Sequence, residues 1–197
     1  PLGCTSTIVY QMYQEKGAII DKKTAGILLA AIISDTLMFR SPTCTQMDRA
    51  AAEALAKIAE VDIEELAKKM FEAGSDFKKK TTEELFYQDF KTFHTDEFDF
   101  GVAQLSAMSD VQLGMAKKKL QPYLEIALGE QKLDAVFVML TDILDENSEV
   151  IYAGAQAGSL LKECFGEPDE SGSFYLKGVV SRKKQMIPTL MAGLQQA

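Results

Sequence analysis

The chain has 197 residues, 47% hydrophobic and 25% charged, which excludes a mainly disordered protein and leaves room for one domain or two small ones. A formal charge of −8 argues against nucleic acid as the main partner. Three widely spaced cysteines, Cys4, Cys44 and Cys164, read as reduced thiols of a cytoplasmic protein with packing roles. The longest apolar run, Ala25 to Ile33, is too short to cross a bilayer, so no membrane partner is expected. A single histidine, His94, offers little to zinc sites or to serine and cysteine protease chemistry. The chain opens on Pro1, with no charged region ahead of an apolar one, and reads as part of something longer.

The first seventy-odd residues read as helical. Gly3 to Thr7 supplies a glycine and hydroxyls ahead of Ile8, Val9, Met12 and Tyr13, which recur at helical spacing up to Gly17. Asp21 is placed to cap a second helix, Lys22 to about Leu37, so apolar all round that burial is expected. Ser41-Pro42-Thr43 breaks the chain. Thr45 or Cys44 then opens an alanine-rich helix, and Asp62 with Glu65 resembles a capping box for a fourth that stops at Gly74.

Gly74 to Lys80 combines a helix stop with a like-charged polar run and is the best linker candidate. Beyond it, Thr81 or Thr82 caps a short helix, and strands are expected at Phe90 to Phe93 and Phe98 to Met108. A helix is expected from Asp110 to about Leu128, a buried strand at Leu133 to Leu140, and its neighbour at Ile151 to Ala153. A helix from Gln156 to Phe165, a strand at Phe174 to Leu176 and a helix from Ile187 to Gln196 complete an α/β class with a mixed sheet.

Four groupings have chemical content. Asp35 ends an apolar helix, where a buried carboxylate needs a metal, an arginine or neighbouring donors; a structural pairing with Ser34, Thr36 or a backbone amide competes with the metal reading. From Lys177 to the end of the sequence there are four basic residues, Lys177, Arg182, Lys183 and Lys184, and no acid, a local reversal of charge in which glycine and serine suit an anion-binding loop. Lys91, in Asp89-Phe90-Lys91, is by itself an ordinary strand lysine. Thr141 to Ser148 reads as a polar turn more readily than as a cation site, since its spacing fits no EF-hand.

Taken together, these segments carry a resemblance. Pro1-Leu2-Gly3-Cys4-Thr5-Ser6-Thr7, Ala31-Ile32-Ile33-Ser34-Asp35-Thr36 with Ser41-Pro42-Thr43-Cys44-Thr45, Phe71 to Asp76, Asp89-Phe90-Lys91 and Gly178 to Gln185 resemble, in order and spacing, the family II manganese-dependent inorganic pyrophosphatases of the DHH phosphoesterases. The resemblance implies the end of a DHH domain over residues 1–75, a linker at 76–80 and a DHHA2 substrate-binding domain over 81–197. It implies Asp35 as a ligand of a Mn2+ (or Co2+ or Mg2+) cluster, and Lys91, Arg182 and Lys183 as pyrophosphate-binding groups. It also implies a homodimer. The family's Asp-His-His segment and its other metal ligands are not in these residues. The chain therefore reads as the C-terminal portion of a pyrophosphatase, inactive alone. A DHH-type exopolyphosphatase and a non-catalytic phosphate-binding module are the alternatives.

Overall fold

The computed structural model describes residues 1–195, which form two compact units that divide after Ala73. The C-terminal end expected for the last helix, Gln196, lies outside the described residues.

The first unit is four helices, α1 (Thr5–Glu15), α2 (Lys22–Asp35), α3 (Gln46–Ala59) and α4 (Ile63–Gly74). Asp21 caps α2 through bonds from the Lys23 and Thr24 amides, and Thr45 caps α3 in a reciprocal box with Asp48. At α1 the cap is not a hydroxyl but the Cys4 sulfur, which accepts from the Ser6 amide. The hydroxyl of Thr7 turns instead to Asp48 at 2.6 Å. The core joins Ala25, Leu29, Ile32 and Ile33 of α2 to Ala52, Leu55 and Ala59 of α3, where alanines allow close approach. Full burial of α2 does not hold: Ile27 is 71% exposed, because α1 and α3 pack on the other side of the helix.

The second unit is a five-stranded mixed sheet with helices on both faces. The strands, β1 (Phe90–His94), β2 (Asp99–Ala107), β3 (Ala135–Asp142), β4 (Asn147–Ala153) and β5 (Phe174–Lys177), lie side by side in chain order. Only β2 and β3 run parallel, joined through α6 (Asp110–Leu120) and α7 (Leu124–Gln131). A single long helix over this crossover was expected; Pro122 interrupts it with a 3-10 turn. β3 is buried along its whole length, as its continuous apolar run requires.

One face of the sheet packs Leu105, Val136, Val138 and Ile151 against α5 (Thr82–Tyr87), α6 and α7. The other packs Phe100, Val102, Phe137 and Val150 against α8 (Ala157–Phe165) and α9 (Ile187–Leu194). β4 is longer than its apolar stretch because Asn147 and Ser148 extend it as buried polar residues. Gly154 follows β4 with φ of +121°, and a Cβ there would stand 2.3 Å from the Asp134 carbonyl oxygen. Gly154→Ala is therefore expected to destabilise the second unit by about 3 kcal/mol, combining dihedral strain with a backbone collision. Thermal unfolding followed by circular dichroism checks this.

The segment between the helical unit and α5 is fastened to the second unit. Phe77 is buried in its core, Ser75 donates to Gln112 at 2.7 Å, and the Lys119 ammonium donates to the carbonyls of Phe77, Lys78 and Lys80 at 2.9, 3.3 and 3.0 Å.

Candidate functional site

The site is built where the chain returns to the sheet after β5. Residues 182–186, expected as a loop, form a π-helical turn that runs straight into α9. Buried and half-buried polar side chains hold it down. Gln104 of β2 donates to the Thr141 hydroxyl and to the Val180 carbonyl, both at 3.0 Å, and accepts from the Arg182 amide at 3.3 Å. Ser148 of β4 meets Thr141 at 2.9 Å and donates to the Val179 carbonyl at 2.7 Å. Gln185 accepts from the Val180 and Ser181 amides and donates to the Gly178 carbonyl. Thr141 and Ser148 are buried and would each cost free energy without these partners.

The product of this scaffold is a fixed arginine. Arg182 Nη1 donates to the carbonyls of Asp89 and Val102 at 2.6 and 3.0 Å, and Nη2 donates to Asp89 Oδ1 at 2.8 Å. Its side chain is only 13% exposed. Three of the five N–H donors of a guanidinium are thus committed. The two left over have no partner among the described residues.

Lys91 pairs with Val102 across β1 and β2. Paired antiparallel residues share a sheet face, so Lys91 lies on the Arg182 side, its head exposed to solvent. Lys183 and Lys184 follow Arg182 and are exposed. Of the four sequence candidates, Lys91 and Arg182 therefore share one sheet face, and Lys183 is the exposed chain neighbour of Arg182. Gln104, Thr141 and Ser148 were not anticipated. Their signal was a polar residue interrupting each apolar strand, indistinguishable in one sequence from a solvated position.

Asp35 is in the first unit, at the C-terminal end of α2, and is exposed rather than buried. No desolvation penalty therefore forces a partner on it, although a carboxylate at a helix C-terminus faces the negative end of the helix dipole. It lies beside the Cys4 thiol, whose ionisation is pushed up by burial and by that carboxylate. Three consecutive residues follow in the left-handed region, Leu37, Met38 and Phe39, with φ of 49°, 51° and 68°. Each is disfavoured for an L-residue. The Thr36 hydroxyl bonded by the Phe39 amide, and Arg49 bonded to the Phe39 carbonyl and stacked over its ring, hold the turn.

As a metal centre Asp35 is incomplete. Manganese accepts carboxylate oxygen, but a catalytic pair of hard ions needs several ligands. The one group of three metal-ligating side chains among the described residues is Asp110, Asp142 and Asp145, which does not include Asp35. Asp142 there accepts from the Leu144 and Asp145 amides, so the segment is the polar turn expected of it. The Asp110 carboxyl is pushed up by its hydrogen bond and repulsion with Asp142. His94 is exposed, 3.0 Å from Asp99 at the edge of the sheet.

A mixed five-stranded sheet with helices packed on both of its faces defines an α/β domain. Residues 68–192 match the DHHA2 domain family, and the chain belongs to it. It is 42% identical over 190 residues to the manganese-dependent inorganic pyrophosphatase of Bacillus subtilis, covering 96% of this chain and 61% of that protein. It is 38% identical to the manganese-dependent inorganic pyrophosphatase of Methanothrix thermoacetophila, covering all of this chain and 63% of that one. A crystal structure of the protein assigned as a family II inorganic pyrophosphatase in Methanococcus jannaschii superimposes with a TM-score of 0.85 at 32% identity, covering 99% of this chain and 66% of that one. The chain thus spans a little over three fifths of the length of these relatives.

Proposed function

We propose that this chain is the substrate-gripping portion of a manganese-dependent inorganic pyrophosphatase that hydrolyses pyrophosphate to two phosphates. The observation that carries the reading is Arg182, a mostly buried cation held by three hydrogen bonds in a chain of net charge −8. Pyrophosphate and the transition state for its hydrolysis are strongly anionic, so rate depends on positioning and charge neutralisation. Arg182 presents a planar fork to one phosphate, and Lys91 and Lys183 add mobile point charges. Asp35 would give one oxygen to a manganese ion, whose chemistry in such enzymes is to activate the attacking water. Residues 1–75 are assigned to the end of a DHH domain, 76–80 to the linker and 81–197 to the DHHA2 domain.

Three unpaired thiols support a cytoplasmic setting. The exposed apolar side chains of Ile8, Met12 and Ile27 on α1 and α2 support a homodimer, with neither nucleic acid nor membrane as partner. Among the described residues no helix is long and apolar enough to cross a membrane.

The test is calorimetric titration of the chain with pyrophosphate, alongside phosphate release in the presence of Mn2+. Binding without turnover is the expected result, because Asp35 has too few companions to form a metal pair. Failure to bind pyrophosphate would sink the reading. Turnover abolished by Asp35→Asn would show that one carboxylate suffices and overturn the half-site account.

A further inference from the structure

Among the described residues Asp89 is the one side chain that bonds the Arg182 guanidinium; the other two acceptors are backbone carbonyls. Both carbonyls act on Nη1, whose two in-plane hydrogens already orient the planar group. The Asp89 carboxylate adds the only bond to an ionised acceptor and the only anchor at a second nitrogen, Nη2, which steadies the group against rocking about Nη1. Asp89 is placed for this by its own backbone: its carbonyl accepts from the Gln104 amide at 3.1 Å as well as from Nη1. Gln104 in turn accepts from the Arg182 amide. One residue therefore ties the arginine to the strand that carries it.

We propose that Asp89 is a positioning residue for anion binding, steadying the Arg182 guanidinium at its second nitrogen so that its two remaining donors face outward as a ready-made fork. This rests on the reading of Arg182 as the group that grips pyrophosphate. Two effects of the carboxylate oppose each other. Its charge repels an anionic ligand, so by Coulomb's law alone its removal tightens binding. Its hydrogen bond removes the rotational freedom that a long side chain otherwise loses on binding. The geometry favours the second. Asp89 is 47% exposed, so water and salt screen its charge, whereas Arg182 is 13% exposed and its contact is short.

The opposed signs make the test decisive. The chain and its Asp89→Ala and Asp89→Asn variants are titrated with pyrophosphate by calorimetry. Asp89→Ala is expected to bind about tenfold more weakly, the loss appropriate to one charge-assisted bond. Asp89→Asn keeps an oxygen acceptor without the charge and is expected to bind within about threefold of the parent chain. A readout that needs no ligand is the side-chain 15N–1H spectrum, in which the Arg182 Nη signals are expected to be resolved in the parent chain and averaged in Asp89→Ala. Alanine binding as tightly as the parent chain, or more tightly, overturns the inference alone. A parent chain that takes up no pyrophosphate overturns the functional reading and this inference with it.

Discussion

Arg182→Ala is expected to weaken pyrophosphate binding by roughly a hundredfold. Two charge-assisted hydrogen bonds from a mostly buried guanidinium amount to about 3 kcal/mol, and 1.4 kcal/mol is a factor of ten in affinity. The depth of the side chain matters to this figure. At 13% exposure its charge is poorly screened, unlike that of the exposed Lys91 and Lys183. Alanine at either lysine is accordingly expected to cost only about threefold, and that loss should fade as salt is added. Arg182→Lys separates charge from shape: it keeps a cation but loses the fork, and an intermediate loss of roughly tenfold is expected. Calorimetry across a salt series reads all of these. Equal affinities for the alanine and parent chains would remove Arg182 from the site.

The second large effect lies in the helical unit. Asp48 is fully buried, yet it accepts from the amides of Gly3, Cys4 and Thr45 and from the hydroxyls of Thr7 and Thr45. Burial pushes its ionisation up, but the bonds from Thr7, Thr45 and Gly3 outweigh burial and bring it down to about 2. Asp48→Ala would strand these donors, and a loss of about 4 kcal/mol is expected, enough to unfold a marginal unit. The sign of the pH dependence follows. A carboxylate whose folded value lies below its unfolded value, near 3.8, adds stability that is fully present above about pH 4 and lost as pH falls toward about 2. The amount is about 2 kcal/mol, from 1.4 kcal/mol per pH unit. Denaturant unfolding between pH 2 and pH 6 measures it, and Asp48→Ala should flatten that part of the profile.

Much of the architecture was legible because it is written locally. Asp21, Thr45 and Thr81 announce helix starts through short side chains that satisfy amides two or three residues away. β3 announces itself by the apolar run Ala135 to Leu140 within the expected strand, Leu133 to Leu140, although the strand runs two residues further, to Asp142. The cationic candidates were legible through charge contrast and through family likeness. What escaped depends on residues distant in the chain. Asp48 drew no reading from the sequence, because only the fold brings Gly3, Cys4 and Thr7 to it, more than 40 residues away. Gln104 serves Val180 and Arg182 across more than 75 residues. The reach of β4 into Asn147 and Ser148 was hidden for the same reason: their burial is made acceptable by Thr141 and by a carbonyl of the returning chain. Asp35 is exposed although it ends an apolar helix, since an apolar sequence neighbourhood does not guarantee an apolar surrounding in space.

The order of strands in the sheet has a consequence for biosynthesis. Because spatial order equals chain order, each strand leaving the ribosome finds the preceding strand already made and adds at a growing edge; none has to be threaded between two others. Arg182 is the exception. It is made after all five strands and docks on Asp89, made 93 residues earlier. The sheet can be complete before that docking takes place, so a chain released a few residues before Arg182 is expected to keep its strands and to lose the anion binding proposed for Arg182.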